Sequence, residues 1–166
     1  MFSLEAEQGL NKNKEKQRSW DLYFLNMLEL VKTRSPDENT KVACILTENN
    51  RVISQAYNGH PSHIDGLPNS RPDKYLWMIH SEINCICNLL VKPTNPTAYI
   101  THLPCRTCLL ALWQTNCRRI VVPKNRKVFS HSPDDDIVLD KLRDNGLIIT
   151  EYDNFKVSQE LTTDFE

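Results

Sequence analysis

Two short motifs constrain the fold of this 166-residue chain more than any other feature. His80 and Glu82 form an H-x-E at the start of one predicted helix. Pro104, Cys105 and Cys108 form a P-C-x-x-C at the start of another. Two cysteines with this spacing lie on one face of a first helical turn, so both sulfurs can reach a single ion. We therefore expect the fold to bring the two helix N-termini together, with the histidine beside the two thiols.

These residues match the ligand set of a catalytic zinc ion. Such a site typically has three protein ligands, here His80, Cys105 and Cys108, and leaves the fourth position to water. Converging helix N-termini would add positive potential, which favours thiolates and acidifies the bound water. Glu82 is only two positions from His80, so it can lie beside the metal without coordinating it and can transfer protons. The pattern predicts an open, catalytic zinc site.

A closed zinc site is the alternative interpretation. His102, three residues before Cys105, could supply a fourth ligand. The chain would then be a zinc-stabilised interaction module without turnover. This alternative leaves Glu82 without a role, so the open site is favoured. The other histidines, His60, His63 and His131, lie in polar or proline-rich stretches and are interpreted as surface residues.

Charge and segment composition narrow the class of protein. The formal net charge is -1, whereas proteins that grip a long polyanion usually carry a basic surplus. No stretch approaches the roughly 18 apolar residues that span a bilayer. The N-terminus also lacks the basic and apolar regions of a secretory signal. We therefore expect a cytoplasmic protein with reduced thiols, in which the remaining cysteines (Cys44, Cys85, Cys87 and Cys117) are small buried core residues.

The order of predicted elements indicates an α/β fold. Apolar residues recur with helical spacing from Trp20, after a possible N-cap at Ser19, and this helix should end before Pro36. Two strands joined by a short ENN turn follow, and helices and strands then alternate. The predicted strands are 41–47, 51–58, 97–102, 119–122 and 147–152, and the later helices are 81–90, 105–115 and 135–145. This α-β-β-α-β-α-β-α-β order predicts a single five-stranded mixed sheet flanked by helices.

Strand direction and domain limits follow from the same pattern. Only the first two strands are connected closely enough to be antiparallel. Residues 1–18 are polar and are interpreted as a flexible tail. The folded domain is then expected over 19–153, and 154–166 form a polar C-terminal tail.

Several segments carry a family resemblance. H-x-E followed by P-C-x-x-C is a known signature of zinc-dependent nucleobase deaminases. From about Trp20 to Tyr152 the chain resembles the cytidine and deoxycytidylate deaminase superfamily, and within it the deoxycytidylate (dCMP) deaminases. The resemblance is carried by the segments TRSPDENTKVACIL, AYNGHP, DKYLWMIHSEINCICN and ITHLPCRTC.

The resemblance implies a fold, a reaction and site residues. The fold would be cytidine deaminase-like, with zinc on His80, Cys105 and Cys108. Zinc hydroxide would attack cytosine C4 while Glu82 shuttles protons, converting dCMP to dUMP and ammonia. Asn58 occupies a position where relatives place an amide against the substrate, and Asn39 lies in the facing loop. Both are candidate substrate contacts, although each can also be interpreted as a turn residue. Arg34, Lys41, His63, Arg71 and Lys74 are candidates for binding the 5′-phosphate, and the sequence does not choose among them.

Regulation, assembly and the exact substrate stay open at this stage. Relatives commonly form homo-oligomers and bind a dCTP activator and a dTTP inhibitor with Mg²⁺. The loop after Pro61 lacks the Gly-Cys and acidic pair of that effector region. Other substrates are a different cytosine nucleotide or nucleoside, another small base, or a base within tRNA or DNA. The near-neutral charge disfavours nucleic acid.

Overall fold

A computed structural model describes residues 4–124 and 132–153 of the chain, and it confirms the predicted order of elements. The helices are α1 (Leu4–Val31), α2 (Ser81–Cys87), α3 (Arg106–Gln114) and α4 (Pro133–Asp144). The strands are β1 (Ala43–Glu48), β2 (Arg51–Tyr57), β3 (Thr97–Ile100), β4 (Arg119–Pro123) and β5 (Ile148–Tyr152). Short 3-10 helices cover Lys32–Arg34 and Asp73–Leu76. The predicted tail over 154–166 and His131 lie outside the described residues.

The five strands form one sheet in the order β2-β1-β3-β4-β5. The predicted hairpin between β1 and β2 is confirmed, and its two turn residues, Asn49 and Asn50, have φ angles of 52° and 57°. Asparagine tolerates this left-handed conformation better than most residues, which suits it to a tight hairpin turn. β3, β4 and β5 pair in parallel, as crossover connections through α3 and α4 require.

The expectation that only the first two strands are antiparallel is wrong. β3 pairs with β1, and this pairing is antiparallel as well. The reason is that the crossover through α2 makes β3 run parallel to β2, while β1 lies between them and runs the other way. The sheet is mixed, as predicted, but its antiparallel part contains three strands.

The hydrophobic core has two parts, one on each face of the sheet, and alternating residues of β1 contribute to them in turn. Ala43 and Ile45 of β1 face α1 and pack in one cluster with the α1 residues Phe24, Leu25 and Leu28. Cys44 and Leu46 point the opposite way, into a larger cluster that includes residues of α2, α3 and α4. This alternation follows from the two-residue period of a strand. Within the described ranges, α1 therefore covers one face of the sheet, and α2, α3 and α4 cover the other.

The start of α1 differs from the prediction at Ser19. The helix begins at Leu4, and the described side chains from Glu7 to Ser19 are all exposed. The apolar periodicity marks where α1 meets the core, and good helix formers such as Gln, Lys and Glu continue the helix before that point. The division into tail and domain stays a prediction. Among the described residues, no helix has both the length and the apolar character needed to cross a bilayer.

Three of the four cysteines predicted to be buried are buried, and one is exposed. Cys44, Cys85 and Cys117 have between 0% and 1% of their surface exposed. Cys87, the last residue of α2, is exposed, so its assignment to the core is wrong. Cys87 follows the buried Cys85 by two positions, which puts it on the opposite side of α2, away from the core.

Candidate active site

The structure brings His80, Cys105 and Cys108 together, as the two motifs predict. His80 Nδ1 lies 3.6 Å from Cys105 Sγ and 3.4 Å from Cys108 Sγ. All three ligand atoms are within 4.8 Å of one another. A tetrahedral zinc ion with ordinary bond lengths would separate its nitrogen and sulfur ligands by about 3.6 Å. The donor set and its spacing therefore fit zinc.

His102, the candidate for a fourth metal ligand, does not join this cluster. The group of metal-ligating side chains found in the described part of the chain consists of His80, Cys105 and Cys108. His102 lines the neighbouring cleft, and its Nδ1 lies 3.3 Å from the Thr101 hydroxyl. The described residues thus gather three candidate ligands, which is the number that a catalytic zinc site typically has.

Both ligand-bearing helices begin at a metal ligand. His80 is the N-cap residue of α2 and Cys105 is that of α3, and both have an extended backbone. Neither side chain caps its helix, so both remain available for the cluster. The backbone N–H of Arg106, at the start of α3, donates instead to a carboxylate oxygen of Asp135 at 2.8 Å. Asp135 also forms the capping box of α4 with Ser132, and it thereby joins the starts of two helices.

The thiol nearest the cleft is ionised more readily than an ordinary cysteine. Hydrogen bonds from Cys108 and His80 lower the pKa of Cys105 to about 4. The same Cys105 contact raises the pKa of His80, and Cys105 raises the pKa of Cys108. The thiolate is the form of cysteine that binds metal, so Cys105 is prepared as a ligand at neutral pH.

Glu82 lies beside the cluster as a buried carboxyl group. It has 5% of its surface exposed, lines the same cleft and accepts a hydrogen bond of 3.0 Å from the Ser81 hydroxyl. Burial raises the pKa of Glu82 above its ordinary value, and interactions with its own backbone, His80 and Ser81 oppose that increase. A carboxyl group in this environment is suited to exchange protons in the cleft.

A cleft of about 300 Å³ opens next to these groups. Its size is at the lower end of the range for small-molecule pockets. Its walls come from the segment before β1, the loop between β2 and α2, the starts of α2 and α3, and one residue of α4. The lining residues are Asp37, Thr40, Val42, Asn58, Arg71, Lys74, Tyr75, Met78, His80, Ser81, Glu82, His102, Leu103, Cys105 and Asp135.

Asn58 is part of the cleft wall and is firmly held there. Its amide nitrogen donates to Asp37 Oδ2 at 3.1 Å and to the Thr40 carbonyl at 2.9 Å. Its amide oxygen accepts from the Ser35 hydroxyl at 2.7 Å and from the Val42 N–H at 2.8 Å. Two donors and two acceptor sites are the full capacity of an amide side chain. Asn58 does not have the positive φ angle that a left-handed turn residue would show.

Asp37 and Lys74 form a buried ion pair beside Asn58. Lys74 Nζ lies 2.6 Å from both carboxylate oxygens, and each side chain has 3% of its surface exposed. Burial alone would raise the pKa of Asp37, but Lys74 and the N–H groups of Thr40 and Asn39 lower it. The pair therefore connects the segment before β1 to the segment before α2 and fixes the shape of the cleft.

The other predicted substrate residues divide into two groups. Arg71 and Lys74 line the cleft, whereas Arg34, Lys41 and His63 are exposed and are not among the lining residues. Asn39 is exposed as well, and its N–H donates to Asp37 at 2.8 Å in a local turn. The sequence interpretation assigned no role to Asp37, Thr40, Ser81 or Asp135. Asp37 belongs to the segment TRSPDENTKVACIL, which carries part of the family resemblance. That resemblance is the local signal that could have indicated a role for Asp37.

Comparison with known proteins identifies the family. The family model for the cytidine and deoxycytidylate deaminase zinc-binding region matches residues 18–124, which include all three ligands and Glu82. The chain belongs to this family. A deaminase from the luxG 3′ region of Aliivibrio fischeri is 30% identical over 112 residues, covering 66% of this chain and 76% of that protein. Human deoxycytidylate deaminase is 28% identical over 120 residues, covering 66% of this chain and 67% of that enzyme.

Solved structures of deaminases share the fold of this family member. The dCMP deaminase of cyanophage S-TIM5 in its apo form superposes with a TM-score of 0.63 at 19% identity, covering 79% of this chain and 95% of that one. Coverage of other relatives is smaller, with 56% of the length of a Caenorhabditis elegans protein and 44% of the Saccharomyces cerevisiae enzyme. The likeness to the cyanophage structure supports the five-stranded deaminase fold.

Proposed function

We propose that this chain catalyses the hydrolytic deamination of dCMP to dUMP and ammonia. The observation that carries the proposal is the placement of a buried Glu82 carboxyl group and a three-ligand metal cluster in the same cleft. The family supports the choice of reaction, and relatives named deoxycytidylate deaminase support the choice of substrate. The cyanophage relative has also been solved in complex with dCMP and dUMP.

His80, Cys105 and Cys108 would hold the metal. Zinc bound there would supply a Lewis acid that lowers the pKa of a water molecule to about 7. Glu82 can accept the first proton of the attacking water and deliver it to cytosine N3. It can then accept the second proton from the hydroxyl group now bonded to C4 and pass it to the amino group, which leaves as ammonia as the C4–N bond breaks. Ser81 holds the Glu82 carboxyl by its 3.0 Å hydrogen bond while this exchange takes place. Because Glu82 is buried, bulk water does not compete for these protons.

We propose different substrate contacts for the two asparagines. Asn58 has all four of its hydrogen-bonding positions filled, so it would contact the substrate by packing and hold the wall in place. Asn39 would contact the substrate from the exposed turn that Asp37 fixes before β1. The loop after Pro61 lacks the residues of the relatives' effector region, so effects of dCTP or dTTP are left to the assay. The proposal otherwise includes a homo-oligomer in the cytoplasm and a role in pyrimidine nucleotide metabolism. The Mg²⁺ expected with those effectors is not part of it.

An ammonia-release assay tests the substrate assignment. The panel should contain dCMP, CMP, dCTP, deoxycytidine, cytidine and a cytosine-containing single-stranded oligonucleotide, each with and without added dCTP. We expect the highest kcat/KM for dCMP. Preference for the oligonucleotide would instead support the alternative of deamination within a nucleic acid, and preference for a nucleoside would show that no phosphate is recognised.

Metal analysis tests the ligand assignment. We expect Cys105→Ser to lower zinc content and to lower stability, because metal binding is coupled to folding. Cys87→Ser is a matched control, because Cys87 is an exposed thiol outside the cluster, and it should keep full zinc and full activity. Full zinc occupancy in Cys105→Ser would show that the ligand is misassigned.

A further inference from the structure

The distribution of positive charge around the cleft distinguishes among the candidate phosphate-binding residues. A nucleoside monophosphate differs from its nucleoside by a dianionic group, and charge-assisted hydrogen bonds from a cation that is not already neutralised bind such a group most strongly. The sequence offers five candidates, and the structure places two of them, Arg71 and Lys74, on the cleft lining. These two have very different surroundings.

Lys74 is already committed to another anion. Its ammonium group is 2.6 Å from both oxygens of Asp37, and both side chains are almost fully buried. Drawing Lys74 away to a phosphate would leave the Asp37 carboxylate buried without its partner, which is strongly unfavourable. Lys74 therefore stabilises the wall of the cleft and is not available to bind a ligand.

Arg71 is available. Its side chain is exposed, and the contacts it makes are weak ones, at 3.4 Å to the Thr40 hydroxyl and 5.9 Å from its guanidinium carbon to the Tyr75 ring centre. Among the described residues, no carboxylate lies within ion-pair distance of Arg71. A guanidinium group presents paired N–H donors that match two phosphate oxygens, which a lysine ammonium cannot do.

The position of Arg71 also suits a nucleotide that reacts beside Glu82. Arg71 belongs to the loop between β2 and α2, and Thr40 belongs to the segment before β1. Their contact joins two walls of the cleft that contains Glu82 and the metal ligands. A molecule whose base lies at Glu82 can thus extend its other end along these walls to Arg71.

We propose that Arg71 binds the 5′-phosphate of the substrate, with the Thr40 hydroxyl as its neighbour, and that it sets the preference for a nucleotide over a nucleoside. This inference rests on the proposed function. It names one specificity-determining residue of the same cleft, where the sequence left five candidates.

The test compares kcat/KM for dCMP and for deoxycytidine in the wild type, Arg71→Ala and Arg71→Lys. Arg71→Ala should lower kcat/KM for dCMP by about 10- to 100-fold, mainly through KM, because it removes charge-assisted hydrogen bonds. It should lower kcat/KM for deoxycytidine far less, because that substrate has no phosphate for Arg71 to bind. Arg71→Lys should recover part of the loss, since it restores the charge without the paired geometry. The salt dependence of kcat/KM for dCMP should weaken in Arg71→Ala.

Arg34→Ala is the matched control, because Arg34 is an exposed arginine outside the cleft lining, and it should keep the wild-type preference. An equal loss for dCMP and deoxycytidine in Arg71→Ala, or no loss for either, would overturn the assignment. A loss of kcat/KM for dCMP but not for deoxycytidine in Arg34→Ala or Lys41→Ala, and not in Arg71→Ala, would overturn it too. A wild type that does not deaminate dCMP would refute the proposed function itself, which separates the two failures.

Discussion

Two buried carboxyl groups, Asp21 and Glu82, occupy opposite faces of the sheet and have opposite properties. Asp21 belongs to α1 and has 0% of its surface exposed. Its Oδ1 accepts hydrogen bonds from Tyr99 at 2.8 Å, Arg119 at 2.9 Å and Gln17 at 3.0 Å. Its Oδ2 accepts from Arg119 and Tyr152, both at 2.6 Å. Burial alone would raise the pKa of Asp21, but Arg119 and its other donors lower it.

Glu82 belongs to α2 on the opposite face. Its side chain accepts a hydrogen bond from Ser81, and burial raises its pKa. A carboxylate has about four acceptor sites, so Asp21 is saturated by protein donors. The comparison shows how one fold makes one acid a fixed structural anion and leaves another able to exchange protons. The donors around Asp21, above all the charged Arg119, decide the difference, since both carboxyl groups are buried.

The largest expected effect is the loss of kcat when Glu82 is replaced. Glu82→Gln should lower kcat for dCMP deamination by about 10²- to 10⁴-fold, because an amide cannot transfer the proton. Zinc content and the free energy of unfolding should stay near the wild-type values, since no saturated network is broken. Activity, metal content and denaturant unfolding measure the three quantities. Glu151→Gln, at an exposed position on β5, is the control, and near wild-type activity in Glu82→Gln would refute the proton-shuttle role.

Replacing Asp21 should have the reverse effect, with a large loss of stability and no loss of kcat. Asp21→Ala should lower the free energy of unfolding by about 3 kcal/mol or more, because it leaves the partly buried Arg119 without its partner. The folded fraction should keep its kcat, since Asp21 lies on the face away from the cleft. Denaturant titration and an assay of the folded protein measure these effects. In contrast, Asp140→Ala breaks an exposed pair with Arg143 and should change stability by about 0.5 kcal/mol or less.

Stability in acid should depend on the same carboxylate. The pKa of Asp21 is lower in the folded protein than its ordinary value of 3.8, so its contribution is fully present above that value. The contribution is lost as the pH falls through the folded-state pKa, because the unfolded chain then binds the proton more readily. Unfolding measured between about pH 2 and pH 6 should therefore be steeper in the wild type than in Asp21→Asn. Equal slopes would show that Asp21 does not contribute to acid sensitivity.

The smallest effect concerns a single donor to Asp21. Tyr152→Phe removes a 2.6 Å hydrogen bond to a charged acceptor and should cost about 1–2 kcal/mol of unfolding free energy. Burial and Asp21 raise the pKa of Tyr152 from its ordinary value of 10 to about 12. Its contribution is therefore present below pH 10 and is lost as the pH rises through about 12. A wild type no more alkali-sensitive than Tyr152→Phe would contradict this role.

The features predicted correctly are those with a local signal. The meeting of the His80, Cys105 and Cys108 side chains was predicted because their spacing along the chain already limits where they can lie. The hairpin turn at 49–50 was recognised for the same reason. The start of α1 was not, because apolar periodicity reports contact with the core and says little about where an exposed helix begins.

The sequence by itself determined the ligand types, the acid beside them and the order of helices and strands, because each depends on neighbours a few positions away. The tertiary structure decided that β3 runs antiparallel to β1 and that Asp21 is saturated. It also decided that Lys74 forms an ion pair with Asp37, whereas Arg71 has no ion-pair partner among the described residues. These outcomes depend on contacts between residues 37 to 131 positions apart, such as Lys74 with Asp37 and Tyr152 with Asp21. Such contacts leave no periodic trace in the sequence, because only the folded sheet brings their partners together.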